Sequence, residues 1–488
     1  MDIRERYTSQ DDLVNHRKVD YLYLKLCLFI ISMFAVYMDR GAFAAMLSEF
    51  EESFSLDNFQ GGVLTAVFMI GFATGSLVFA SLVKNHSVLL LTSIGTAIWS
   101  LAVLGGAVSF NFTTFAIARA CVGIGEASLL TIASSFIDTH APIESRSQWM
   151  GGYFAQIPVG FAIGNAIGSA WIGWGEKDWR SWLIVCGLFQ VPIAIIFFAL
   201  RKTESQFEYN QVGNQSRRED ILLRSPRRKA SERESTRCER LYSIIKTEVS
   251  EIFTLLRSKL LMLLMFGNAA VTFTIGSFSI FVIQYMQANL GTTITESGIL
   301  FGTVTALSGS AGSYTCGWYL DRKRRRYAAS IHTERRAPRD EGEAARDKDC
   351  EKAYSVFIAS DICFKCICIA LPISALSFAY AFNSISGFTF SLFFTEFFVL
   401  GAFTPYIQAC LWATPVWKLR ALSVAMSAFV GYVFGDAMSP ILIGEIIDAS
   451  GWQNAMFVTC GWLIFGIVLW GLARRVAMVR WKEEESSF

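Results

Sequence analysis

Charged residues are scarce in this chain. They make up 17% of its 488 residues, whereas a typical soluble domain contains about 25%. Hydrophobic residues make up 53%, a share that fits about twelve membrane spans of roughly 22 residues each. The scarcity of charge argues against a soluble domain, and it predicts an all-α membrane protein that crosses the bilayer many times.

Sequence features of catalysis and metal binding are also missing. The four histidines lack metal-site spacing, and the eleven cysteines are scattered, mostly within apolar runs. No GxxxxGK[ST] loop is present, which argues against ATP-driven transport, and no nucleophile–base pair points to an enzyme. We therefore expect no catalytic residues, no cofactor, no metal and no nucleic-acid partner.

Apolar and polar segments alternate along the chain in a pattern that repeats once. The chain divides into an N-terminal tail (1–20), a six-helix bundle (21–200), a charged linker (201–259), a second six-helix bundle (260–477) and a C-terminal tail (478–488). A charged segment, 321–352, interrupts the second bundle, and the pattern near Leu241–Leu256 favours a helix within the linker. The repeat predicts twelve transmembrane helices in two pseudo-symmetric halves.

The basic residues predict the orientation of these helices. If the N-terminus is cytosolic, nearly all loop lysines and arginines fall on the cytosolic side, including Lys84, Arg146 and both long charged segments. Only Lys177 and Arg180 fall on the other side. Because basic residues concentrate in cytosolic loops of membrane proteins, we expect both termini to lie in the cytosol.

Two pairs of charged residues lie inside apolar spans of the first half. Arg119 and Glu126 lie about two turns apart on one face of the fourth span, and Asp39 and Arg40 are adjacent in the first. A charge at the bilayer centre costs roughly 2.5–3.5 kcal/mol on insertion scales, so such residues normally face a bundle interior or a water-filled cavity. The four charges are candidates for a functional site; a static network that only holds the helices together is the alternative.

The spacing of these residues predicts a contact between the first and fourth spans. Adjacent helical residues diverge by about 100°, so Asp39 and Arg40 cannot simply neutralise each other. We expect Glu126 to face the first span, within reach of Arg40 directly or through water. Burial and a neighbouring arginine act in opposite directions on the pKa of a carboxyl group. This opposition makes a proton switch possible, in which protonation of the acid releases the arginine to bind an anion.

The second half has fewer charges within its spans. Glu396 in the tenth span is a candidate for substrate contact or for an interhelical hydrogen bond. Asp436 in the eleventh span is a candidate partner of the basic cytosolic helix ends, and it precedes Pro440, which breaks or kinks a helix because proline has no backbone N–H. Asp361 and Lys365, one turn apart in the ninth span, have the spacing of a local salt bridge.

Several short motifs resemble those of one transporter family. They are Tyr37-Met38-Asp39-Arg40, Arg119 followed by Val122-Gly123-Ile124-Gly125-Glu126-Ala127-Ser128, Phe136-Ile137-Asp138, Ile157-Pro158-Val159-Gly160, and Gly435-Asp436 followed by Ser439-Pro440. On these motifs the chain resembles the spinster branch of the major facilitator superfamily, a branch of sphingolipid and lysophospholipid transporters. The plant and protist members are the most similar. The resemblance is good over about Phe34–Leu200 and patchier from Ser297 onward.

The resemblance implies a major facilitator fold and roles for individual residues. It implies proton coupling at Asp39 and Glu126, with Arg40 and Arg119 as their paired cations. Substrate-binding or charge-partner candidates are Arg40, Arg119 and Glu396, and candidates for a conformational latch are Gly317, Asp321, Arg322 and Asp436. The loop after the second span departs from the superfamily's Gly-x-x-x-Asp-Arg pattern, because Ala80 and Lys84 stand where glycine and aspartate are expected.

Glycines concentrate in the second, fifth, eighth and eleventh spans. In the major facilitator fold these four helices line the seam between the halves. Small residues at every fourth position let helix backbones approach closely. We therefore expect these glycines to lie where the two halves rock against each other.

These observations lead to one expected function and two alternatives. We expect a secondary transporter that moves an amphipathic lipid, of lysophospholipid or sphingolipid type, by proton-coupled alternating access. The alternatives are a major facilitator exporter of a small organic anion or drug-like solute, and a membrane receptor or scaffold acting through the long cytosolic loops. The expected partners are the substrate, protons and membrane lipids, and the chain is expected to be a monomer. The resemblance favours the late endosome or lysosome, with the plasma membrane as the other location.

Overall fold

All regular secondary structure in the described part of this computed structural model is helical. The described residues are 3–55, 58–84, 86–173, 178–201, 250–334, 341–379, 384–414 and 416–486. Within them, nine helical stretches are long and apolar enough to cross a bilayer, and Val67–Leu82 is a shorter apolar helix. The remaining long helices, Gln156–Gly173 and Ile294–Glu334, are rich in glycine and serine or extend into charged sequence.

The described residues divide into twelve spans, numbered here in chain order, which is consistent with the number predicted from the sequence. The first half comprises span 1 (Ile3–Ala45), span 2 (Asn58–Leu82), span 3 (Val88–Ala107), span 4 (Phe112–His140), span 5 (Arg146–Phe154 and Gln156–Gly173) and span 6 (Trp179–Leu200), with a short helix, Leu47–Phe54, after span 1. The second half comprises span 7 (Lys259–Leu290), span 8 (Ile294–Glu334), span 9 (Glu341–Ser377), span 10 (Ile385–Gly401 and Phe403–Ala413), span 11 (Arg420–Gly431 and Met438–Ser450) and span 12 (Trp452–Gly461 and Leu463–Ser486). A 3-10 turn, Trp417–Leu419, precedes span 11, and a π-helical segment, Tyr432–Asp436, lies within it.

The two halves repeat one packing pattern. In the first half, span 1 packs on span 5, span 2 on span 4, and span 3 on spans 4 and 6. In the second half, span 7 packs on span 11, span 8 on span 10, and span 9 on spans 10 and 12. Because each pair in one half has its counterpart six spans later in the other, the predicted pseudo-symmetry of the two bundles is confirmed.

The two halves meet along spans 2, 5, 8 and 11. Span 5 packs on span 8, and the first helix of span 11 packs on spans 2 and 4. Lys84, Arg146, Arg324 and Arg420 all lie near one end of this seam, which is called the basic end below; the other is the opposite end. The four seam helices are those expected from the resemblance.

Several helices extend beyond their apolar parts. Span 1 begins at Ile3, so it includes most of the polar N-terminal tail, and span 12 continues to Ser486 in the C-terminal tail. The charged segment 321–352 also consists largely of the end of span 8 and the start of span 9. Hydropathy marks where a helix leaves the bilayer, and a polar sequence without glycine or proline allows it to continue. In the linker, residues 250–256 are helical, while 202–249 lie outside the described residues.

The glycine rows mostly face neighbours within their own half, which corrects the expectation that they face the seam. A Cβ atom built on Gly71 would lie 2.0 Å from Ala120 O of span 4, one on Gly164 1.9 Å from Met38 O of span 1, one on Gly312 2.2 Å from Phe397 O of span 10, and one on Gly435 2.0 Å from Thr272 Oγ1 of span 7. These four glycines let spans 2, 5, 8 and 11 press against spans 4, 1, 10 and 7. A row of small residues predicts close approach but does not say to which neighbour.

Candidate functional site

Span 4 brings two charged side chains into the interior of the first half. It is a 29-residue helix whose start is capped by Asn111, which accepts a hydrogen bond from the Thr114 backbone N–H at 2.8 Å. Seven residues, or about two helical turns, separate Arg119 from Glu126, so both side chains leave one face of the helix. Both are buried.

Glu126 and Arg40 form a buried ion pair between spans 4 and 1. Arg40 Nε donates to Glu126 Oε2 at 3.1 Å, and Arg40 Nη2 lies 2.9 Å from Glu126 Oε1. The first contact is a charge-assisted hydrogen bond, and the second is a close ionic contact whose two atoms have no hydrogen-bond partner among the described residues. The prediction that Glu126 faces span 1 within reach of Arg40 is confirmed.

Asp39 and Arg119 form a second, looser pair between the same spans. Arg119 Nη1 lies 3.6 Å from Asp39 Oδ2, which is longer than an ordinary hydrogen bond. Asp39 Oδ1 and Arg119 Nε are buried and have no hydrogen-bonding partner among the described residues. Buried polar atoms normally form hydrogen bonds. Asp39 Oδ1 is therefore free to take up a proton or to accept a hydrogen bond from a substrate.

Aromatic rings enclose both guanidinium groups. The Arg40 Cζ atom lies 4.5 Å from the centre of the Phe68 ring and 4.9 Å from that of Tyr37. The Arg119 Cζ atom lies 3.7 Å from the centre of the Phe43 ring. A ring face attracts a cation by about 0.5–2 kcal/mol, the larger values applying away from water. The rings therefore hold the arginines in place when their carboxylate partners are neutralised.

A tyrosine of the second half reaches the Arg40–Glu126 pair across the seam. The Tyr432 hydroxyl contacts the Arg40 guanidinium and the Tyr37 hydroxyl. Its ring lies 5.0 Å from that of Phe72 of span 2 in an edge-to-face arrangement. Arg40 is thus shared between a carboxylate of its own half and a hydroxyl of the other half. Sequence reasoning missed Tyr432; the nearby proline of span 11 was the available signal that this helix is irregular.

The π-helical segment also determines where Asp436 lies. The Ala437 backbone N–H bonds to the Tyr432 carbonyl at 2.9 Å, five residues back. Because Pro440 has no N–H, the Asp436 carbonyl accepts a hydrogen bond from the Ser439 hydroxyl instead, at 3.2 Å. The Asp436 carboxylate lies mid-span beside span 7, within electrostatic range of Arg40. We expected Asp436 to belong to a latch at the basic helix ends, and the structure places it mid-span instead.

Glu396 of span 10 is held by two hydroxyl groups of span 8. Thr305 Oγ1 donates to Glu396 Oε1 at 2.9 Å, and Ser308 Oγ donates to Oε2 at 3.2 Å. In the described part of the chain no lysine or arginine pairs with it. The interhelical hydrogen bond, one of the two roles considered for Glu396, is therefore present, and Glu396 stands apart from the four charges of the first half.

Asp138, at the end of span 4, is the centre of a cross-seam contact at the basic end. The Trp412 indole donates to Asp138 Oδ1 and the Arg420 Nη1 donates to Oδ2, both at 2.8 Å. Arg146 Nη1 lies 3.9 Å from the same carboxylate. Sequence reasoning assigned Asp138 no role, although it lies in one of the motifs that carry the family resemblance.

A second cross-seam contact joins the start of span 5 to spans 8 and 10. The Gln148 backbone N–H donates to Asp321 Oδ2 at 3.0 Å, and Ser147 Oγ donates to Gln408 Oε1 at 2.8 Å. A Cβ atom on Gly317 would lie 2.3 Å from Ser147 O, so only glycine allows this approach. The structure therefore places Gly317 and Asp321 together, in line with the expected latch.

Arg324, rather than Arg322, is the arginine of this contact. Arg324 Nη1 lies 3.9 Å from Asp321 Oδ1, its Nε donates to Ser355 Oγ at 2.9 Å, and its Cζ lies 4.4 Å from the Trp412 ring centre. Arg322 is exposed and stacks on Trp318 of its own helix, with 5.2 Å between Cζ and the ring centre. Residues three apart on a helix share a face and adjacent ones do not, so Arg324 shares the face of Asp321.

Lys84 bridges to the second half where the superfamily pattern has an aspartate. Its ammonium group forms an ion pair with Glu251, in the helical stretch 250–256 that precedes span 7. The departure from the pattern therefore keeps a polar contact at the basic end with the charges reversed. With the contacts of Asp138 and Asp321, it closes this end of the seam.

Asp39, Arg40, Arg119 and Glu126 form a buried cluster of charges in the middle of the first half, called the charge cluster below. The contacts of Asp138, Asp321 and Lys84 close the seam at its basic end. The two arginines and two carboxylates of the cluster cancel in charge when all are ionised. No group of histidine, cysteine, aspartate and glutamate side chains with the geometry of a metal site occurs among the described residues. The cluster has carboxylates that can take up a proton and guanidinium groups that can bind an anion, in a two-half helix bundle with cross-seam contacts at its basic end. This arrangement defines a secondary transporter that works by alternating access.

Comparison with known proteins gives the family. Residues 29–332, more than half of the chain, match the Major Facilitator Superfamily. The chain belongs to this superfamily. It is 25% identical to the Arabidopsis thaliana protein named "Probable sphingolipid transporter spinster homolog 3", over 92% of this chain and 84% of that one. It is 22% identical to the Mus musculus sphingosine-1-phosphate transporter SPNS2, over 84% of this chain and 67% of that one.

Solved structures share the fold. A bacterial homolog of the human lysosomal transporter spinster, in an inward-facing and unoccupied conformation, is 16% identical with a TM-score of 0.54, covering 94% of this chain and 98% of that chain. The Major Facilitator Superfamily transporter FucP, in the outward conformation, is 15% identical with a TM-score of 0.59, covering 93% and 99%. At these identities the likeness shows the fold alone.

Proposed function

We propose that this protein moves an amphipathic lipid with an anionic headgroup across a membrane by proton-coupled alternating access. The observation that carries this proposal is the Arg40–Glu126 pair, buried between spans 1 and 4 and contacted by Tyr432 of the other half. The names of its relatives, sphingolipid and sphingosine-1-phosphate transporters, support a lysophospholipid or sphingolipid substrate.

Protonation of a carboxylate changes what the cluster can bind. With Asp39 and Glu126 ionised, each arginine already has an anionic partner. One proton neutralises one carboxylate and leaves the cluster with a single positive charge. A released Arg40 can then present two parallel N–H groups to a phosphate, the bidentate contact that guanidinium groups favour. A proton and an anionic headgroup therefore enter the cluster together with little net change of charge.

An apolar groove on the second half supports a lipid rather than a small soluble anion. It has a volume of about 380 Å³ and lies between Leu300 and Val304 of span 8 and Ile385, Phe390 and Phe393 of span 10. An acyl chain loses roughly 0.8 kcal/mol for each CH₂ removed from hydrocarbon, so a transported lipid keeps its tail in an apolar environment. The groove provides such an environment on the second half.

The same proposal includes the orientation, location and state of the protein. The distribution of basic residues supports a cytosolic basic end and cytosolic termini. The conformation described here is then closed toward the cytosol. We propose that the protein works as a monomer in the late endosomal or lysosomal membrane.

Transport by purified protein in liposomes tests the substrate class. Lysophospholipids, a sphingoid-base phosphate and a soluble organic anion are offered separately and in competition, with and without a pH gradient. We expect saturable movement of at least one lipid, stimulated by the gradient and unaffected by an excess of the soluble anion. Saturable movement of the soluble anion without any lipid movement contradicts the proposal and supports a small-anion exporter.

A further inference from the structure

Two cations share one carboxylate on the outer surface of the second half, on spans that take no part in the charge cluster described above. Lys365 Nζ lies 2.5 Å from Asp361 Oδ2, and Arg474 Nε of span 12 lies 2.5 Å from Asp361 Oδ1. The local salt bridge predicted between Asp361 and Lys365 is therefore present. The third member, Arg474, could not be paired with it from the sequence. These three residues are called the Asp361 cluster below.

The cations of the Asp361 cluster face the bilayer rather than the bundle interior. The Lys365 side chain is 61% exposed and that of Arg474 is 34% exposed, while that of Asp361 is only 6% exposed. Around them the exposed surface of spans 9 and 12 is apolar, with Ile369, Val468 and Leu472. Both spans belong to the apolar stretches that cross the membrane. A positive charge on such a surface is unfavourable unless it finds an anion.

Asp361 pairs with both cations but neutralises only one of their two positive charges. Each of its two oxygen atoms pairs with one cation, so the cluster has two positive charges and one negative. A lysine ammonium has three N–H donors and an arginine guanidinium has five. Neither cation has a second acidic partner in the part of the chain that the structure describes. A net positive charge and several donors are thus directed toward lipid.

The cations of the Asp361 cluster lie toward the basic end of spans 9 and 12. Trp481 of span 12 donates to the Tyr327 hydroxyl at 2.8 Å and stacks against Phe357. Tryptophan and tyrosine side chains of this kind favour the membrane–water interface. Arg474 precedes Trp481 by seven residues, about 10 Å along a helix, and Lys365 reaches back toward the start of span 9, on the same side. The cations therefore lie just inside the interface at the basic end.

Close packing of spans 9 and 12 builds the Asp361 cluster. A Cβ atom on Gly471 would lie 3.1 Å from the Phe364 ring, so this glycine brings the two helices together at the cluster. The Phe364 ring in turn lies 5.6 Å from Arg474 Cζ, measured to the ring centre. The guanidinium is held between Asp361 and this ring with its remaining donors directed outward.

We propose that the Asp361 cluster binds the phosphate of an anionic phospholipid whose acyl chains lie along spans 9 and 12. The single net positive charge of the cluster complements a headgroup with one net negative charge. A zwitterionic headgroup fits less well, because its own cation meets Lys365 and Arg474 while Asp361 is already engaged. The lipid bound here is a resident of the membrane, distinct from the transported molecule.

Native mass spectrometry of the full-length protein, stripped of lipid in detergent, tests this site. The probes are phosphatidylglycerol, phosphatidylcholine with the same acyl chains, and inorganic phosphate. We expect the wild-type protein to prefer phosphatidylglycerol. Lys365→Leu leaves a neutral Asp361–Arg474 pair and is expected to weaken phosphatidylglycerol binding about fivefold, the contribution of one lysine near an anionic headgroup, without affecting phosphatidylcholine.

Lys482→Leu is the matched control, because it removes an exposed lysine from the same end of span 12, eight residues beyond Arg474. Equal loss of phosphatidylglycerol binding in the two variants, or no loss in Lys365→Leu, overturns the proposal. Displacement of phosphatidylglycerol by inorganic phosphate at equal concentration also overturns it, because a free anion is then the ligand. Lys365→Gln, which keeps a polar side chain, replaces Lys365→Leu if the latter unfolds, and the same loss of preference is expected.

Discussion

The change Glu126→Gln tests the proposed proton coupling most directly. Glutamine has nearly the same shape as glutamate and mimics its protonated form, so the variant keeps the geometry of the site while removing one negative charge. In the wild-type protein the Glu126 carboxylate pairs with Arg40 through two contacts of 2.9 and 3.1 Å, and only 2% of the Glu126 side chain is exposed. The amide oxygen of glutamine can keep one of these two contacts.

The contacts of Glu126 set the free-energy cost of removing its charge. Removing one partner of a buried ion pair costs about 3–5 kcal/mol, because the other charge is left uncompensated. Arg40 keeps its contacts with the Phe68 and Tyr37 rings and with the Tyr432 hydroxyl, so we place the effect at the lower limit, about 3 kcal/mol. This free energy is the difference between the site with an ionised Glu126 and the site with a neutral side chain at position 126. In the Glu126→Gln variant the side chain is always neutral.

Transport assays in liposomes separate coupling from binding. A gradient of one pH unit provides about 1.4 kcal/mol per proton, enough for roughly tenfold accumulation of a substrate coupled to one proton. We expect the wild-type protein to establish such a gradient of substrate and Glu126→Gln to establish none. Exchange of labelled for unlabelled substrate without a pH gradient is expected to remain in the variant, because Arg40 is still present.

The control is Glu396→Gln, which alters a buried carboxylate that pairs with hydroxyl groups instead of arginine. It is expected to keep accumulation driven by the pH gradient. If Glu126→Gln accumulates substrate as well as the wild type, Glu126 is not the coupling residue. If Glu126→Gln and Glu396→Gln lose accumulation and exchange alike, the loss reflects general damage to the bundle.

Three further predictions concern the seam. Tyr432→Phe removes the hydroxyl that lies beside Arg40; at about 0.5–1.5 kcal/mol for one hydrogen bond, we expect a roughly two- to twelvefold lower transport rate with unchanged protein stability in thermal melts. Gly317→Val places side-chain atoms against Ser147 O, which lies 2.3 Å from an ideal Cβ, so the basic end should fail to close; labelling of a cysteine introduced beside this contact should rise, and transport should stop. Arg324→Gln should increase the same labelling because Arg324 pairs with Asp321, whereas Arg322→Gln should leave it unchanged; the reverse order contradicts the assignment of the latch arginine.

The fold and the central pair could be predicted from the sequence because each depends on few alternatives. A long apolar run must form a helix in the bilayer, so hydropathy identifies most of the spans and the repeat between the two halves suggests the others. A charge in such a run must find a partner, and the central parts of spans 1 and 4 offer Asp39, Arg40, Arg119 and Glu126. The Arg40–Glu126 contact follows from helix geometry once Arg119 is too far along its own helix to pair with Glu126.

The remaining contacts depend on helix rotation and on helix irregularity, which the sequence leaves undetermined. Arg322 and Arg324 are both arginines close to Asp321 in the sequence. Only the rotation of span 8 about its axis directs Arg324, rather than Arg322, to Asp321. A π-helical segment begins at Tyr432 and changes the phase of span 11 between this residue and Pro440, so a regular helix does not predict how Tyr432 and Asp436 are oriented relative to each other. The glycine rows show the same limit, because close approach is predictable and the neighbour approached is not.

Spans 4 and 11 connect the charge cluster to the closed end of the seam. Span 4 carries Glu126 at the cluster and Asp138 at the basic end, while span 11 carries Tyr432 and Arg420 at the same two levels. Twelve residues separate the members of each pair, about 18 Å along a helix. The two antiparallel helices therefore have two cross-seam contacts, one through Arg40 and one between Asp138 and Arg420.

Protonation of Glu126 acts on only one of these two contacts. In the proposed coupling, protonation releases Arg40 from the Glu126 carboxylate, while the Asp138–Arg420 pair, with its oxygen–nitrogen distance of 2.8 Å, is unaffected. In the same proposal, an anionic headgroup takes the place of that carboxylate beside Arg40. Opening of the basic end then requires the remaining contact to break, and the rigid helices transmit the change at the centre to that end. In this proposal a proton without substrate acts at the centre alone, so we expect the contact at the basic end to limit a leak of protons.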